Sequence, residues 1–248
     1  ALRRAEIMLA DYGVFTTTPL DYQLSNRFLT QDIDGLESFA VITPCIFLAV
    51  AAHRSGLELR LTVELLAGHA DCLDTVWLRA ALLLLLVGYG TKMGLAPMHT
   101  WKPDAYGEAP GIVGAMLAGG VTTVAFTAVL RVRAVVDAAG AGAIASRTLL
   151  VIGLFSMLVA ALFLLSTRDF KRMLAYSSVE HMGILSLGAA LGGAGVWAAF
   201  FHVWNNSMVK GALFLSAGNI RRAAGARTID EVSGMSLLTP RSATLFMT

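Results

Sequence analysis

Long apolar runs, separated by charged or glycine-rich stretches, organise the chain from Leu36 onward. Leu36–His53 is barely long enough to cross a hydrocarbon core, and Pro44 predicts a kink within it. After a polar loop, Arg54–Thr75, a second span is expected over Val76–Pro97, followed by a short re-entrant or interfacial piece, His99–Ala109. Pro110 suits the start of a third span, Gly111–Leu130. A Gly/Ala-rich connection, Arg131–Arg147, leads to the fourth, Thr148–Thr167. The run Arg168-Asp169-Phe170-Lys171-Arg172 predicts a tight charged turn of structural character. Spans five and six, Leu174–Gly192 and Val196–Ala217, are split by Gly192, Gly193 and Gly195. A polar loop, Gly218–Thr239, precedes a seventh apolar segment opening at Pro240. Residues 1–35 mix Arg3, Arg4, Glu6, Asp11, Asp21, Arg27, Asp32 and Asp34 too closely to span a bilayer and receive no function. The pattern predicts an all-α, polytopic helix bundle over residues 36–248.

Composition supports a membrane setting: 56% of residues are hydrophobic and 15% charged, with a mean hydropathy of +0.67, too apolar for a soluble surface. The chain opens on Ala1 and stops as a new apolar segment begins, so it reads as part of a longer protein. A net charge of +2 is small for this length and says nothing about nucleic acid, but no run of aromatic and basic residues suited to it is present. Cys45 and Cys72 have neither metal-binding nor redox spacing. If the Arg168–Arg172 turn is cytoplasmic, alternation puts Lys102 and the Gly218–Arg241 loop on that side. The positive-inside bias then points the right way, but slightly.

The candidate chemistry lies in ionisable residues within the spans. Lys92 follows an apolar run and sits among Gly88, Gly90, Gly94 and Pro97, which predicts a discontinuous helix over Lys92–Pro97 around a buried cation. His202, Asn206 and Lys210 recur at helical spacing on one face of span six. Span five adds Glu180 and His181. Competing readings remain. Lys92 and Lys210 could snorkel to an interface, and Glu180-His181 could be a helix-end pair near headgroups. His99, Trp101 and Lys102 together look like an interfacial anchor, and His53 an interfacial histidine. Haem ligation by His181 and His202 is disfavoured for lack of a second pair. No Ser-His-Asp set and no phosphate-cradling loop is present. Buried lysines and histidines are suited to moving protons, because modest changes in a neighbouring charge reverse their occupancy.

The strings Lys92-Met93-Gly94-Leu95-Ala96-Pro97-Met98-His99-Thr100-Trp101-Lys102-Pro103-Asp104-Ala105, then Glu108-Ala109-Pro110, and Asp169-Phe170-Lys171-Arg172-Met173-Leu174-Ala175-Tyr176-Ser177-Ser178-Val179-Glu180-His181-Met182-Gly183 resemble the antiporter-like subunits of respiratory complex I. That family is related to Mrp-type antiporters and to the membrane arms of group 4 nickel-iron hydrogenases. Gly88-Tyr89-Gly90-Thr91-Lys92 and Glu180-His181 are most similar to the hydrogenase-4 or formate hydrogenlyase branch. The resemblance implies two inverted five-helix repeats, with Lys92 at the first broken helix as the central proton site and His202 and Lys210 on the onward relay. It implies a multi-pass subunit of a prokaryotic cell membrane with no cofactor of its own. Its partners would be other membrane subunits and a peripheral redox arm carrying iron-sulfur clusters, nickel-iron or flavin. The departures matter. The third span offers only Ala118, Gly119, Gly120, Thr122 and Thr123 where relatives often carry a lysine or histidine, so a bridge there would use water and the hydroxyls of Thr122 and Thr123. Asn206 stands where a second histidine is common. No counterpart of the fifth-helix glutamate is found in residues 1–35, and the twelfth-helix outlet lies past Thr248. A Na⁺/H⁺ antiporter subunit and a non-conducting membrane scaffold are the alternatives.

Overall fold

A computed structural model describes residues 63–247 of the chain. The first span expected at Leu36–His53, the unassigned residues 1–35, Cys45 and His53 lie outside the described residues.

The described part is helical. After α1 (Val63–Gly68) and a 3₁₀ turn at Ala70–Cys72, α2 runs Thr75–Met93, its first turn capped by the Asp74 carboxylate. Helix α3 is Trp101–Glu108. Helix α4 runs Gly111–Ala138 and contains a π turn at Leu117–Val121. Then come α5 (Gly142–Ser166), α6 (Phe170–Leu191) and α7 (Ala194–Ala224), followed by α8 (Met235–Leu238) and α9 (Pro240–Met247). Among the described residues, α2, α4 and α5 are long and apolar enough to cross a membrane. Helices α6 and α7 have comparable reach but carry their ionisable residues within the apolar stretch.

The helices outrun their apolar stretches. The expected Arg131–Arg147 connection shrinks to Ala139–Ala141, because Arg131 and Arg133 lie inside α4 and Arg147 inside α5. Arg133 is buried, its guanidinium included, and is held by Asp137 at 3.2 Å and Ser146 at 3.3 Å. A long cation can thus extend a helix past the point where hydropathy alone would stop it. The sixth span likewise continues to Ala224, ending at Gly225 in the left-handed region. At the charged turn, Asp169 Oδ1 accepts from the Lys171 and Arg172 backbone N–H groups, a cap typically contributing about 1 kcal/mol.

Helix α6 is wedged between α5 and α7 and also carries α3. Gly153 of α5 and Gly183 of α6 bring the backbones together, since a Cβ on Gly183 would lie 2.7 Å from the Gly153 carbonyl oxygen. Gly111 and Gly218 do the same between α4 and α7. Such contacts suit helices that gain no hydrophobic drive from association in lipid. The first half of α4 packs on α7 and its second half on α2. The outward face of α5 shows Val151, Leu154, Leu158, Leu162 and Leu165, a surface fit for acyl chains.

A charged cap closes one end. Glu108 pairs with Arg227 at 3.1 Å and Arg221 at 3.4 Å, Asp104 with Arg172 at 2.7 Å, and Asp230 with Arg168 at 2.6 Å. Glu231 accepts from the Arg227 and Thr228 backbone N–H groups. Desolvation is the largest single influence on Glu108 and opposes its ionisation, but Arg227, Arg221 and Arg172 together outweigh it and hold the carboxyl below its usual range. Hydrogen bonds from Arg227 and Thr228 do the same for Glu231. A depressed folded-state value contributes stability that is present above the unfolded carboxylate value and is lost as pH falls through the folded one. Acidification below about pH 4 is therefore expected to lower the amide protection factors of Arg227–Glu231, measured against the intrinsic exchange rate at each pH, while those of α5 and α6 are kept. An equal loss of protection in both would refute the local tether.

Candidate functional site

The site is built around the end of α2. Gly94 adopts φ +79°, and its N–H and that of Leu95 close on the Thr91 and Gly90 carbonyls, a Schellman ending. The chain then turns back through a cis Ala96–Pro97 peptide. Its return is fastened by Ala96 N donating to Ser156 Oγ on α5 at 2.9 Å and by Trp101 Nε1 donating to the Thr91 carbonyl at 2.8 Å. The predicted break is present at this point.

Lys92 occupies the last turn of α2 and is half-buried; a cation there faces the negative end of the helix dipole. The fully buried lysine of this segment is Lys102. Its Nζ donates to the Met93 carbonyl at 2.7 Å and lies 5.5 Å from the centre of the Tyr106 ring. The interfacial anchor expected from His99, Trp101 and Lys102 is thus overturned. Because the chain folds back beneath the helix end, His99 is enclosed near Phe163 and Tyr176. Lys102 reaches across Gly94, where a Cβ would fall 2.4 Å from Lys102 Cδ. A signal was available. Asp104 and Glu108, at helical spacing, face the charged cap, which turns Lys102 and Tyr106 inward.

Across from this segment, α6 and α7 bring the other candidates together. His181 Nδ1 and His202 Nε2 are 3.0 Å apart. Lys210 is buried, its Nζ donating to Ser177 Oγ at 2.8 Å and the Leu174 carbonyl at 3.4 Å. Asn206, one turn from each of His202 and Lys210, is also buried. Glu180 acts electrostatically on Lys210; Lys210 acts on Lys102, and both lysines act on His181. Ser177, which holds Lys210, was not singled out in the sequence.

Thr122 and Thr123 lie at the end of the π turn. Their hydroxyls donate to the Ala118 and Gly119 carbonyls, and Thr123 Oγ1 is 3.2 Å from Ser207 Oγ on α7. The Tyr106 hydroxyl, Ser178 Oγ and Asn206 Oδ1 are buried without a hydrogen-bond partner among the described residues. Buried polar atoms of this kind are ordinarily satisfied by internal water. No group of three or more His, Cys, Asp or Glu suited to a metal occurs among the described residues. The arrangement brings the titratable side chains of α3, α6 and α7 within electrostatic reach of one another.

The family described as NADH:quinone oxidoreductase/Mrp antiporter, transmembrane, matches residues 45–248. The chain belongs to this family. A hydrogenase-4 component F homolog from Methylacidiphilum infernorum (isolate V4) is 39% identical over 172 residues, which is 69% of this chain and 36% of that protein. A chain of the membrane-bound sulfane sulfur reductase, an archaeal respiratory membrane complex, superposes with a TM-score of 0.80 at 23% identity, over 92% of this chain and 47% of that one. A chain of the Mrp complex from Dietzia sp. DQ12-45-1b gives 0.72 at 26% identity, over 86% and 39%. The chain spans between a third and a half of the length of these relatives. It is an antiporter-like integral membrane protein with an all-α fold, and the hydrogenase-4 likeness agrees with the resemblance carried by its two motifs.

Proposed function

We propose that this antiporter-like subunit conducts protons through the membrane part of a redox-driven complex, with the electron transfer on partner subunits. One observation carries the reading: a polar string runs along the α6–α7 contact, with His181 and His202 half-buried and in contact and Asn206 and Lys210 buried. Lys210 is held by a hydroxyl and a carbonyl, so neither of its charge states is locked by a hydrogen-bonded carboxylate, while Glu180 supplies a charge that acts on it. Lys92 is the central site at the broken helix. His202 and Lys210 form the onward relay with Asn206, Glu180 and His181, and Thr122 and Thr123 offer hydroxyls beside it. The partners are other membrane subunits and a peripheral arm bearing iron-sulfur, nickel-iron or flavin groups. The likeness to an Mrp complex chain favours a second reading, exchange of Na⁺ for H⁺.

The test compares wild type with Lys210→Met and Lys92→Ala in sealed vesicles carrying the full complex, following proton uptake alongside redox turnover. Each variant is expected to lower the proton-to-turnover ratio by roughly tenfold or more while the complex assembles. A proton gradient dissipated by added Na⁺ would select the exchange reading. Normal pumping by both assembled variants would leave the chain as a scaffold.

A further inference from the structure

We propose that Lys102 is itself a proton-carrying site, standing between the broken helix and Lys210. The inference rests on the proton-conducting reading above and adds a residue to it.

The geometry distinguishes Lys102 from Lys171, a buried lysine nearby that lies outside the α6–α7 string. Lys171 closes a helix end, its Nζ donating to the Gly107 and Ala109 carbonyls beside the charged cap. That is a structural clip. Lys102 has three N–H donors and one hydrogen-bond acceptor among the described residues, the Met93 carbonyl. The acidic residues of its own helix do not serve it: Asp104 pairs with Arg172, and Glu108 with Arg227 and Arg221, all on the opposite face. Removing an ammonium fully from water without a carboxylate is expensive, so a merely structural role would be better filled by a neutral donor. The groove that admits the side chain is also specific, since it exists because position 94 carries no Cβ.

Position supplies the second argument. From Gly111 to Leu130 the first and middle parts of α4 contain no ionisable side chain, so that stretch of the helix offers no charge between Lys92 and the α6–α7 string. Lys102 fills this place from α3. The groups that face it are Lys210 from α7 and His181 from α6, both within electrostatic reach, with Tyr106 and His99 on its own segment. The Tyr106 ring packs edge-on against Phe214 of α7, one turn beyond Lys210, and its buried hydroxyl is without a partner among the described residues. In the proposed step the Lys102 ammonium releases one proton toward Lys210 and becomes a neutral amine. That amine then takes the next proton from the side of the helix break, and no electrons move.

The experiment uses the same vesicles with Lys102→Gln, which keeps a donor for the Met93 carbonyl but carries no titratable proton, and Lys102→Arg, which keeps the charge but does not release it. Both are expected to assemble and to lower the proton-to-turnover ratio by roughly tenfold or more. Should the glutamine variant not assemble, the arginine variant decides by the same ratio. Wild-type proton uptake in either assembled variant would overturn the proposal and make Lys102 a structural donor. Lys210→Met measured in parallel separates the two failures. If it abolishes uptake while the Lys102 variants pump, only the Lys102 assignment falls; if all of them pump, the proton-conducting reading falls with it.

Discussion

Replacing Gly183 with valine will drive α6 away from α5 and sharply reduce the amount of folded protein. A Cβ at Gly183 would sit 2.7 Å from the Gly153 carbonyl oxygen and 2.8 Å from Met157 Cγ, and one at Gly153 would sit 2.9 Å from the Gly183 carbonyl. Met157 could swing aside; a helix carbonyl cannot without giving up its own hydrogen bond. Overpacking typically costs about 1–3 kcal/mol, and the reciprocal backbone contact puts this site at the upper end. Because His181 lies two residues before Gly183, the displacement also disturbs its 3.0 Å contact with His202. Native gel electrophoresis and the thermal midpoint of the solubilised protein measure the effect. A wild-type amount at an unchanged midpoint would show that close backbone approach does not hold these helices.

The second large effect is expected for Gly94→Ala, through two additive causes. At φ +79° an alanine occupies the left-handed region at a cost of roughly 1–2 kcal/mol, and its methyl group would lie 2.4 Å from Lys102 Cδ. The lysine must then leave its groove, and its hydrogen bond to the Met93 carbonyl goes with it. A double-mutant cycle separates the causes. In a Lys102→Ala background the steric part vanishes and only the backbone part remains, so the coupling between the two sites should be about 1 kcal/mol or more. Strict additivity would mean that Gly94 serves only to end the helix.

Much of the architecture was readable from particular residues. The glycines and Pro97 foretold the broken helix, Asp169 the charged turn, and the spacing of His202, Asn206 and Lys210 the polar face now packed against α6. Helix ends were less readable, because Arg131, Arg133 and Arg147 interrupt hydropathy without interrupting the backbone. Lys102 was misplaced for a different reason. A lysine beside a tryptophan and a histidine has the composition of an interfacial anchor, and only the fold-back at Gly94 turns it inside. The π turn left no mark at all, since one extra residue in a turn depends on what both halves of the helix pack against.

That wider turn has a consequence for how α4 can vary. By setting the two halves of one helix out of phase, Leu117–Val121 lets Gly111 and Gly114 fit the backbone and Phe214 of α7 while Phe126 and Val129 fit the core against α2. A volume change before the turn is felt by α7 and α3, and one after it by α2 together with α1, α5 and α6, so the two halves of one helix answer to different sets of neighbours.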